Sequence, residues 1–593
     1  MGKFILLCFV LIGFSCSENS KEKNVSKQQP NVIIIMSDDQ GWGDLSNSGN
    51  SNISTPNIDA LAHNGVSFKS FYVQPVCSPT RAELLTGRYA ARTGVYSTSQ
   101  GGERFNLGET TIAEIFKNAG YKTAAYGKWH SGMQPPYHPN ARGFDDYYGF
   151  ASGHWGNYFS PMLEHNGTIV KGEGFLVDDL TNKGIDFITE NQNQPFFLYL
   201  PYNTPHSPMQ VPDEFWDKFK DKTLDMKYQG QEKEPENFTK VALAMVENID
   251  FNVGRLTQKL KELALEENTI IIYLSDNGPN GWRWNGGMRG KKGSTDEGGV
   301  RTPFFMQWKN IIPKGKTVTS IAGAIDILPT LASLAGIEPQ TEKPLDGKDL
   351  KALLMEENPN WEPRHIINHW RGKTSIRTDN YRLDHENRLY DMQKDLGQTK
   401  DISKEATAIF DSLVTVKNKW QSGLLEKNSQ VEERPITLGH PEFEYTQIPA
   451  RDGIPHGTIK RSNRYPNNTF FTDWTNTADS ITWDIEVLAD GEFEVELYYT
   501  CPAESVGSVL ELSFVESRLS TIITKAHNPP LTGMENDRDP RMESYVKDFI
   551  PMKLGKIKLK KGKGQLSLKA LSINGNQAPD IRLLMFKRIK HAL

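Results

Sequence analysis

Residues 31–39 read NVIIIMSDD, and residues 269–278 repeat the arrangement as TIIIYLSDNG. Each begins as a continuous apolar, β-branched run without polar alternation, the pattern of a strand buried on both faces of a parallel or mixed sheet. Each run stops on oxygen-bearing side chains, Asp38 and Asp39 after the first, Asp276 and Asn277 after the second. Open α/β sheets hold their ligands beyond the carboxyl ends of strands, so the two runs predict a site along with a fold. Two more strand candidates, Lys122–Tyr126 and Pro195–Leu200, lead toward Lys128 and His130 and toward Thr204, Pro205 and His206. Helical periodicity fills the intervals at Thr55–Asn64, Thr111–Ala119, Asp179–Asn191 and Lys240–Glu267, and another helix begins at Asp326. Strand and helix in alternation predict a three-layer α/β domain.

The chain has 593 residues, enough for two or three domains with ample apolar burial. Its 68 basic and 73 acidic residues leave a formal net charge of −5, which excludes the broad basic face of a nucleic-acid binder. At the N-terminus Lys3 precedes an apolar run from Phe4 to Phe14, then Ser15 and Cys16, the order of a secretory signal and too short for a membrane span. The segment resembles a bacterial lipoprotein signal, which would make Cys16 the acylated N-terminus and residues 17–29 a tether; plain secretion with cleavage nearby is the alternative. The chain is thus expected to be exported, either as an outer-membrane, cell-surface or periplasmic lipoprotein of a Gram-negative bacterium or as a secreted protein, with a lipid anchor as its only membrane contact. Without that segment only Cys77 and Cys501 remain of four cysteines, so no disulfide framework is expected.

Cys77, Ser78, Pro79, Thr80 and Arg81, with Thr86 and Gly87, form a Cys-x-Pro-x-Arg run; Gly120, Tyr121 and Thr123 followed by Gly127, Lys128, Trp129 and His130 form a second signature. Together they resemble the type I sulfatase family, similar to arylsulfatases, over residues 30 to 425 or so. The resemblance implies an alkaline-phosphatase-like three-layer sandwich with a mixed central sheet, closed by a small antiparallel sheet near Thr374–Leu389 and a helix from Ser403 to Trp420. It implies that a maturation enzyme oxidises Cys77 to Cα-formylglycine (3-oxoalanine), whose hydrate attacks sulfur to give a covalent sulfoenzyme. It further implies one Ca²⁺ held by Asp38, Asp39, Asp276, Asn277 and residue 77, and the all-oxygen side chains suit a hard cation better than zinc. By motif matching Arg81 would hold the formylglycine, and Lys128 and Lys292 would sit on the sulfate. Lys292 is preferred to Lys291 because Lys292, Gly293, Glu297, Gly298 and Gly299 match the family's Lys-Gly-x-x-x-Glu-Gly-Gly run. His206 would protonate the leaving alcohol, His130 would deprotonate the diol adduct, and Asp276 would accept the nucleophile's proton.

Substrate contacts are expected from Trp282, Arg283 and Trp284, which lie between Asn277 and Lys292, and from His154 and Arg371, with Trp155, His369 and Trp370 beside them. Beyond Glu432–Pro435 the texture changes to short alternating strands such as Ile481–Val487, Phe493–Tyr499 and Val509–Phe514, which predicts an appended β-sandwich. The expected domains are a signal (1–16), a tether (17–29), a catalytic α/β domain (30–360), a small antiparallel subdomain (361–430) and the sandwich (431–593). Six lysines, Lys553, Lys556, Lys558, Lys560, Lys561 and Lys563, surround one strand there; they would contact a sulfated polysaccharide or keep a sheet edge from aggregating. The whole is similar to polysaccharide sulfatases of marine Bacteroidetes, for which ulvan is one target. The expected activity is therefore hydrolysis of sulfate esters in a sulfated polysaccharide or oligosaccharide. A phosphodiesterase or phosphonate hydrolase of the same superfamily and a catalytically dead glycan-binding lipoprotein are the competing readings.

Overall fold

The computed structural model describes Gly2 and residues 29–428 and 434–590. The signal, Cys16 and nearly all of the expected tether lie outside the described residues, as do Glu432 and Glu433.

The Asn31–Ser37 strand is buried at every position, as is Thr269–Ser275, and the two pair in parallel with Asn31 opposite Thr269 and Ser37 opposite Ser275. Equal length and matched register bring Asp38 and Asp276 out of neighbouring strands at one level. On its other side Asn31–Ser37 pairs in parallel with Phe196–Pro201, which in turn pairs with Lys122–Lys128. These four form the centre of a ten-stranded sheet that is mixed, because Phe304–Trp308 runs antiparallel to Thr269–Ser275.

Successive residues of the central strand feed different cores. Val32, Ile34 and Met36 pack with Leu84, Leu85, Phe116, Leu328 and Leu331 on one face. Ile33 and Ile35 pack with Leu180, Ile188, Leu243 and Val253 on the other. A continuous apolar run is what a strand covered by helices on both faces requires. The long helix spans Glu236–Glu262, earlier than its sequence pattern suggests. It closes because Ala264 takes a left-handed φ of 54° and Leu265 N returns to Leu260 O at 2.8 Å, an end that no glycine advertises.

Four antiparallel strands, Ile366–Trp370, Lys373–Arg377, Tyr381–Leu383 and Leu389–Asp391, form a small sheet under the Thr407–Asn428 helix. Glu297 ties it to the catalytic loops, taking Arg382 Nη2 at 2.9 Å, Arg377 Nε at 3.4 Å and the Tyr72 hydroxyl at 2.8 Å. The C-terminal region consists of two six-stranded, largely antiparallel sheets sharing one core of Trp474, Trp483, Leu497, Tyr499, Leu512 and Phe586. Its strands alternate buried and less buried residues as the sequence predicts, and Cys501 lies in that core as a free, buried thiol.

Candidate active site

Cys77 opens a ten-residue helix, Cys77–Thr86, every residue of which is buried. The helix ends at Gly87, whose φ of 65° favours glycine. Arg81 follows Cys77 by four residues and so shares its face. The Arg81 guanidinium, fully buried, donates from Nη2 to Asp276 Oδ2 at 2.8 Å and from Nη1 to Lys128 O at 2.6 Å. Asp38, Cys77 and Asp276 bring one ligand atom each to within 4.8 Å of one another. Lys128, the last residue of its strand, bonds Asp38 Oδ2 at 2.6 Å, and Lys292 bonds Asp39 Oδ1 at 2.7 Å. Asn277 Nδ2 donates to Asp39 Oδ1 at 2.8 Å.

Three carboxylates (Asp38, Asp39, Asp276) thus face three cations (Arg81, Lys128, Lys292) inside the protein. Burial and the crowding of like charges push Asp38 and Asp276 up to about 6, against the pull of Lys128 and Arg81. Asp39 goes the other way: Lys292 and His206 overcome its burial and hold it well below the carboxylate range. Asp38 Oδ1 and Asn277 Oδ1 are buried without a hydrogen-bond partner. Such oxygens are costly unless something binds them, and hard oxygen donors at this spacing fit a divalent cation such as Ca²⁺. With charges otherwise balanced, that cation would leave the site positive, as an anionic ester requires.

His206 rests Nδ1 on Ser207 O at 2.7 Å and turns Nε2 toward Asp39 Oδ2 at 3.7 Å. His130 Nε2 meets Thr98 O at 2.8 Å, and its Nδ1 has no partner. Burial, then the nearby Lys128, push the His130 imidazole well below its ordinary value. Gly153 lies against that ring; a Cβ there would come within 2.2 Å of Nε2, so only glycine admits the approach. Asp39 and His130 both hold left-handed φ, 68° and 59°, a strain that non-glycine residues keep where function over-determines the backbone.

The remaining sequence candidates divide. His154 reaches the site: its ring lies 5.5 Å from that of His206 and both its nitrogens are buried and unpartnered. Lys291 is turned away, its Nζ over the Trp282 ring at 4.9 Å, while Lys292 holds Asp39. Trp282 stacks near Tyr228 and Trp284 near Trp42, both half-buried. Arg283, expected at the substrate, has its guanidinium 2% exposed and committed to Asp44 and to Asp39 O, where it braces the Asp39 loop. Arg371 lies on an exposed turn over the Trp370 ring, and among the described residues no hydrogen bond or ion pair ties it to the site. Sequence reasoning gave no role to Asn203 and Thr204, whose buried polar side chains are unpartnered next to His206, and missed Glu543, which arrives from the sandwich to bond Ser207 Oγ. A cavity of about 520 Å³ lies between the two domains, lined by Trp155, Phe159, Tyr498 and Phe549 and by none of the catalytic candidates.

Buried carboxylates at a strand-end crevice, with cations facing them and a cysteine on a helix start, suit hydrolysis of an anionic ester, and similarity to known proteins makes the chain a sulfuric ester hydrolase. The family model for sulfatases matches residues 30–337, and the chain belongs to that family. N-acetylgalactosamine-6-sulfatase of Sus scrofa is 32% identical over 385 residues, 58% of this chain and 69% of the relative. The uncharacterized sulfatase YdeN of Escherichia coli (strain K12) is 30% identical over 488 residues, 70% of this chain and 84% of that one. Among solved structures, Ps i-CgsB in complex with k-i-k-neocarrahexaose is 34% identical with a TM-score of 0.59, covering 66% of this chain and 93% of its own.

Proposed function

We propose that this sulfatase is exported, binds one Ca²⁺, carries formylglycine at position 77 and hydrolyses sulfate esters of a sulfated polysaccharide or oligosaccharide. One observation carries the catalytic part: Cys77, Asp38 and Asp276 converge to within 4.8 Å, with Arg81 bonded to Asp276. The N-acetylgalactosamine-6-sulfatase relative and the neocarrahexaose complex support a glycan substrate. Export, with acylation of Cys16, rests on the composition of residues 3–16, which lie outside the described residues.

Asp38, Asp39, Asp276 and Asn277 would hold the cation, and a cation bound there would supply Lewis-acid polarisation of sulfate oxygens. The hydrated aldehyde would supply a nucleophilic hydroxyl and a second hydroxyl through which the aldehyde is restored. Arg81 fixes residue 77 against Asp276, while Lys128 and Lys292 serve as point charges for the sulfate oxygens. Burial and Lys292 push His206 down to about 4. An anionic ester on the two lysines offsets their charge and lifts the imidazole toward the range where it can hold a proton for the departing alcohol. His130, kept neutral by burial, presents the unpartnered Nδ1 as proton acceptor.

Mass spectrometry of the peptide containing residue 77, from natively matured protein, reads the modification directly. Formylglycine or its hydrate is expected there, and an unmodified thiol in fully active enzyme overturns the covalent chemistry. On the same sample, release of sulfate from defined sulfated oligosaccharides should exceed phosphodiester turnover; the reverse order makes the protein a phosphodiesterase, and glycan binding without turnover makes it a binding lipoprotein. Chelation should abolish activity, and Ca²⁺ should restore it.

A further inference from the structure

The stretch from Gly533 to Ser544 belongs to the sandwich, well beyond the residues the family model matches, yet it is bonded along the rim of the active site. Gln210 Nε2 donates to Gly533 O at 2.8 Å and to Asp537 Oδ1 at 2.9 Å. Arg538 N donates to Met209 O at 2.9 Å, and Asn237 Nδ2 to Asp539 Oδ1 at 2.8 Å. The Arg541 guanidinium donates to Gly156 O. So anchored, the stretch delivers Glu543, whose Oε1 accepts from Ser207 Oγ at 2.5 Å. Its carboxylate acts electrostatically on both His154 and His206. Burial opposes its ionisation, and the hydrogen bond donated by Ser207 favours the carboxylate.

The site therefore has two electrostatic sides. Arg81, Lys128 and Lys292, paired with Asp276, Asp38 and Asp39, form the cationic side on which the sulfate would sit. Glu543, bonded to Ser207 next in the chain to His206, belongs to the His206 end of the site, through which the alcohol would depart if His206 protonates it. A carboxylate is an acceptor only, with about four lone-pair sites on its two oxygens, of which Ser207 takes one. Neutral hydroxyls satisfy such a group, whereas a second sulfate or a uronate is repelled by it. His154, with two unpartnered nitrogens, provides a donor and an acceptor beside it.

We propose that Glu543 is a specificity-determining residue: the sandwich completes the leaving-group subsite, and this carboxylate selects a sugar that bears free hydroxyls and no second anion next to the ester. The proposal rests on the glycan sulfatase reading above and adds the chemical class of the sugar.

The test uses the full, matured protein with Glu543→Gln, Glu543→Ala and Ser207→Ala. The substrates are a panel of monosulfated hexoses, their disulfated counterparts and 4-nitrophenyl sulfate, which has no hydroxyls to recognise. Glu543→Ala should lower kcat/KM on the best monosulfated sugar by roughly tenfold or more while changing 4-nitrophenyl sulfate by less than about threefold. Disulfated sugars should gain on monosulfated ones by about threefold or more in both Glu543 variants, including the isosteric Gln form that keeps the packing. Ser207→Ala, which removes only the internal hydrogen bond, should leave that selectivity unchanged. An equal fall on every substrate, or a Ser207→Ala profile that copies Glu543→Ala, assigns Glu543 to holding the His206 loop and overturns the proposal, as does no change at all. If the parent enzyme hydrolyses 4-nitrophenyl sulfate but no sugar sulfate, the glycan reading fails first and the selectivity proposal falls with it.

Discussion

The catalytic domain and the C-terminal sandwich keep opposite interiors. Around Cys77 the protein buries three carboxylates and three cations, two of the carboxyls pushed to about 6 and two residues in left-handed strain. The shared core of the two C-terminal sheets is built of aromatic and aliphatic side chains, with Trp474 and Trp483 almost fully enclosed. Buried charge is poor material for stability, since desolvation consumes most of the Coulombic gain. The first interior is organised for chemistry. The second supplies apolar burial and lends one loop to that chemistry. Mutations should therefore separate cleanly, with large activity effects and small stability effects in the first region and the reverse in the second.

Cys77→Ala gives the sharpest contrast. Sulfate release should fall by about 10³-fold or more if residue 77 supplies the nucleophile as proposed, while loss of one small side chain that is 3% exposed costs on the order of 1 kcal/mol. Turnover and thermal melting on the same samples check both halves; a variant that retains substantial activity removes residue 77 from the reaction. Trp483→Ala is the mirror image. The indole is 1% exposed and donates from Nε1 to Pro449 O at 3.0 Å, so the change should cost about 3–5 kcal/mol in the sandwich's unfolding transition. Below that transition kcat on 4-nitrophenyl sulfate should stay within about twofold of the parent, because Trp483 belongs to the sandwich core and not to the group around Cys77.

What could be read in advance follows the same division. The strands at Asn31–Ser37 and Thr269–Ser275 were legible because burial on two faces leaves an unbroken apolar signature, and Asp38, Asp39, Asp276 and Asn277 follow from where those runs stop. The cysteine motif fixed its own neighbourhood, since Cys77 and Arg81 lie one helical turn apart. For Arg283, a place in the chain between Asn277 and Lys292 says nothing of direction; its side chain turns inward to Asp44. Glu543 left no signal at all. It meets Ser207 across 336 positions, in a loop whose sequence has neither apolar period nor motif, and only the docking of two domains brings them together. The left-handed φ of Asp39 and His130 was equally silent, because no glycine marks either position.

Glu297 blurs the division in an instructive way, being a buried charge with a structural task. Burial opposes its ionisation, but Arg377, Arg382 and Arg301 with the Tyr72 hydroxyl outweigh this and hold its carboxyl at about 2, below the ordinary 4.5. A depressed carboxyl contributes stability that is fully present above the unfolded value near 4.5 and is lost as pH falls from there toward 2. The parent should therefore lose about 3 kcal/mol across that window on this account alone. Glu297→Gln should melt lower than the parent at pH 7, and the gap should narrow as pH falls below about 4.5. Parallel melting curves for the two proteins from neutral to acid pH would remove the clamp from the stability ledger.

The smallest expected effect lies on the sandwich's outer edge, at the lysines that suggested a grip on polysaccharide. The Ile550–Leu559 strand ends its sheet, with Leu554, Ile557 and Leu559 turned inward and Lys553, Lys556 and Lys558 exposed. Those lysines oppose acids on the neighbouring strand: Lys556 faces Glu494, Lys558 faces Glu492 and Lys553 faces Glu496, with Lys553 Nζ 3.1 Å from Glu494 Oε1. Cross-strand pairs of this exposed kind contribute about 0.2–1 kcal/mol and discourage edge-to-edge pairing. Lys556→Glu should accordingly cost no more than about 1 kcal/mol, through like charges set opposite Glu494, and should raise the tendency to aggregate at high concentration. Turnover of a sulfated polymer should match turnover of a short oligosaccharide before and after the change. If polymer turnover alone falls, and falls more steeply at low salt, the strand is a substrate-binding face and the sandwich does more for catalysis than carry one loop.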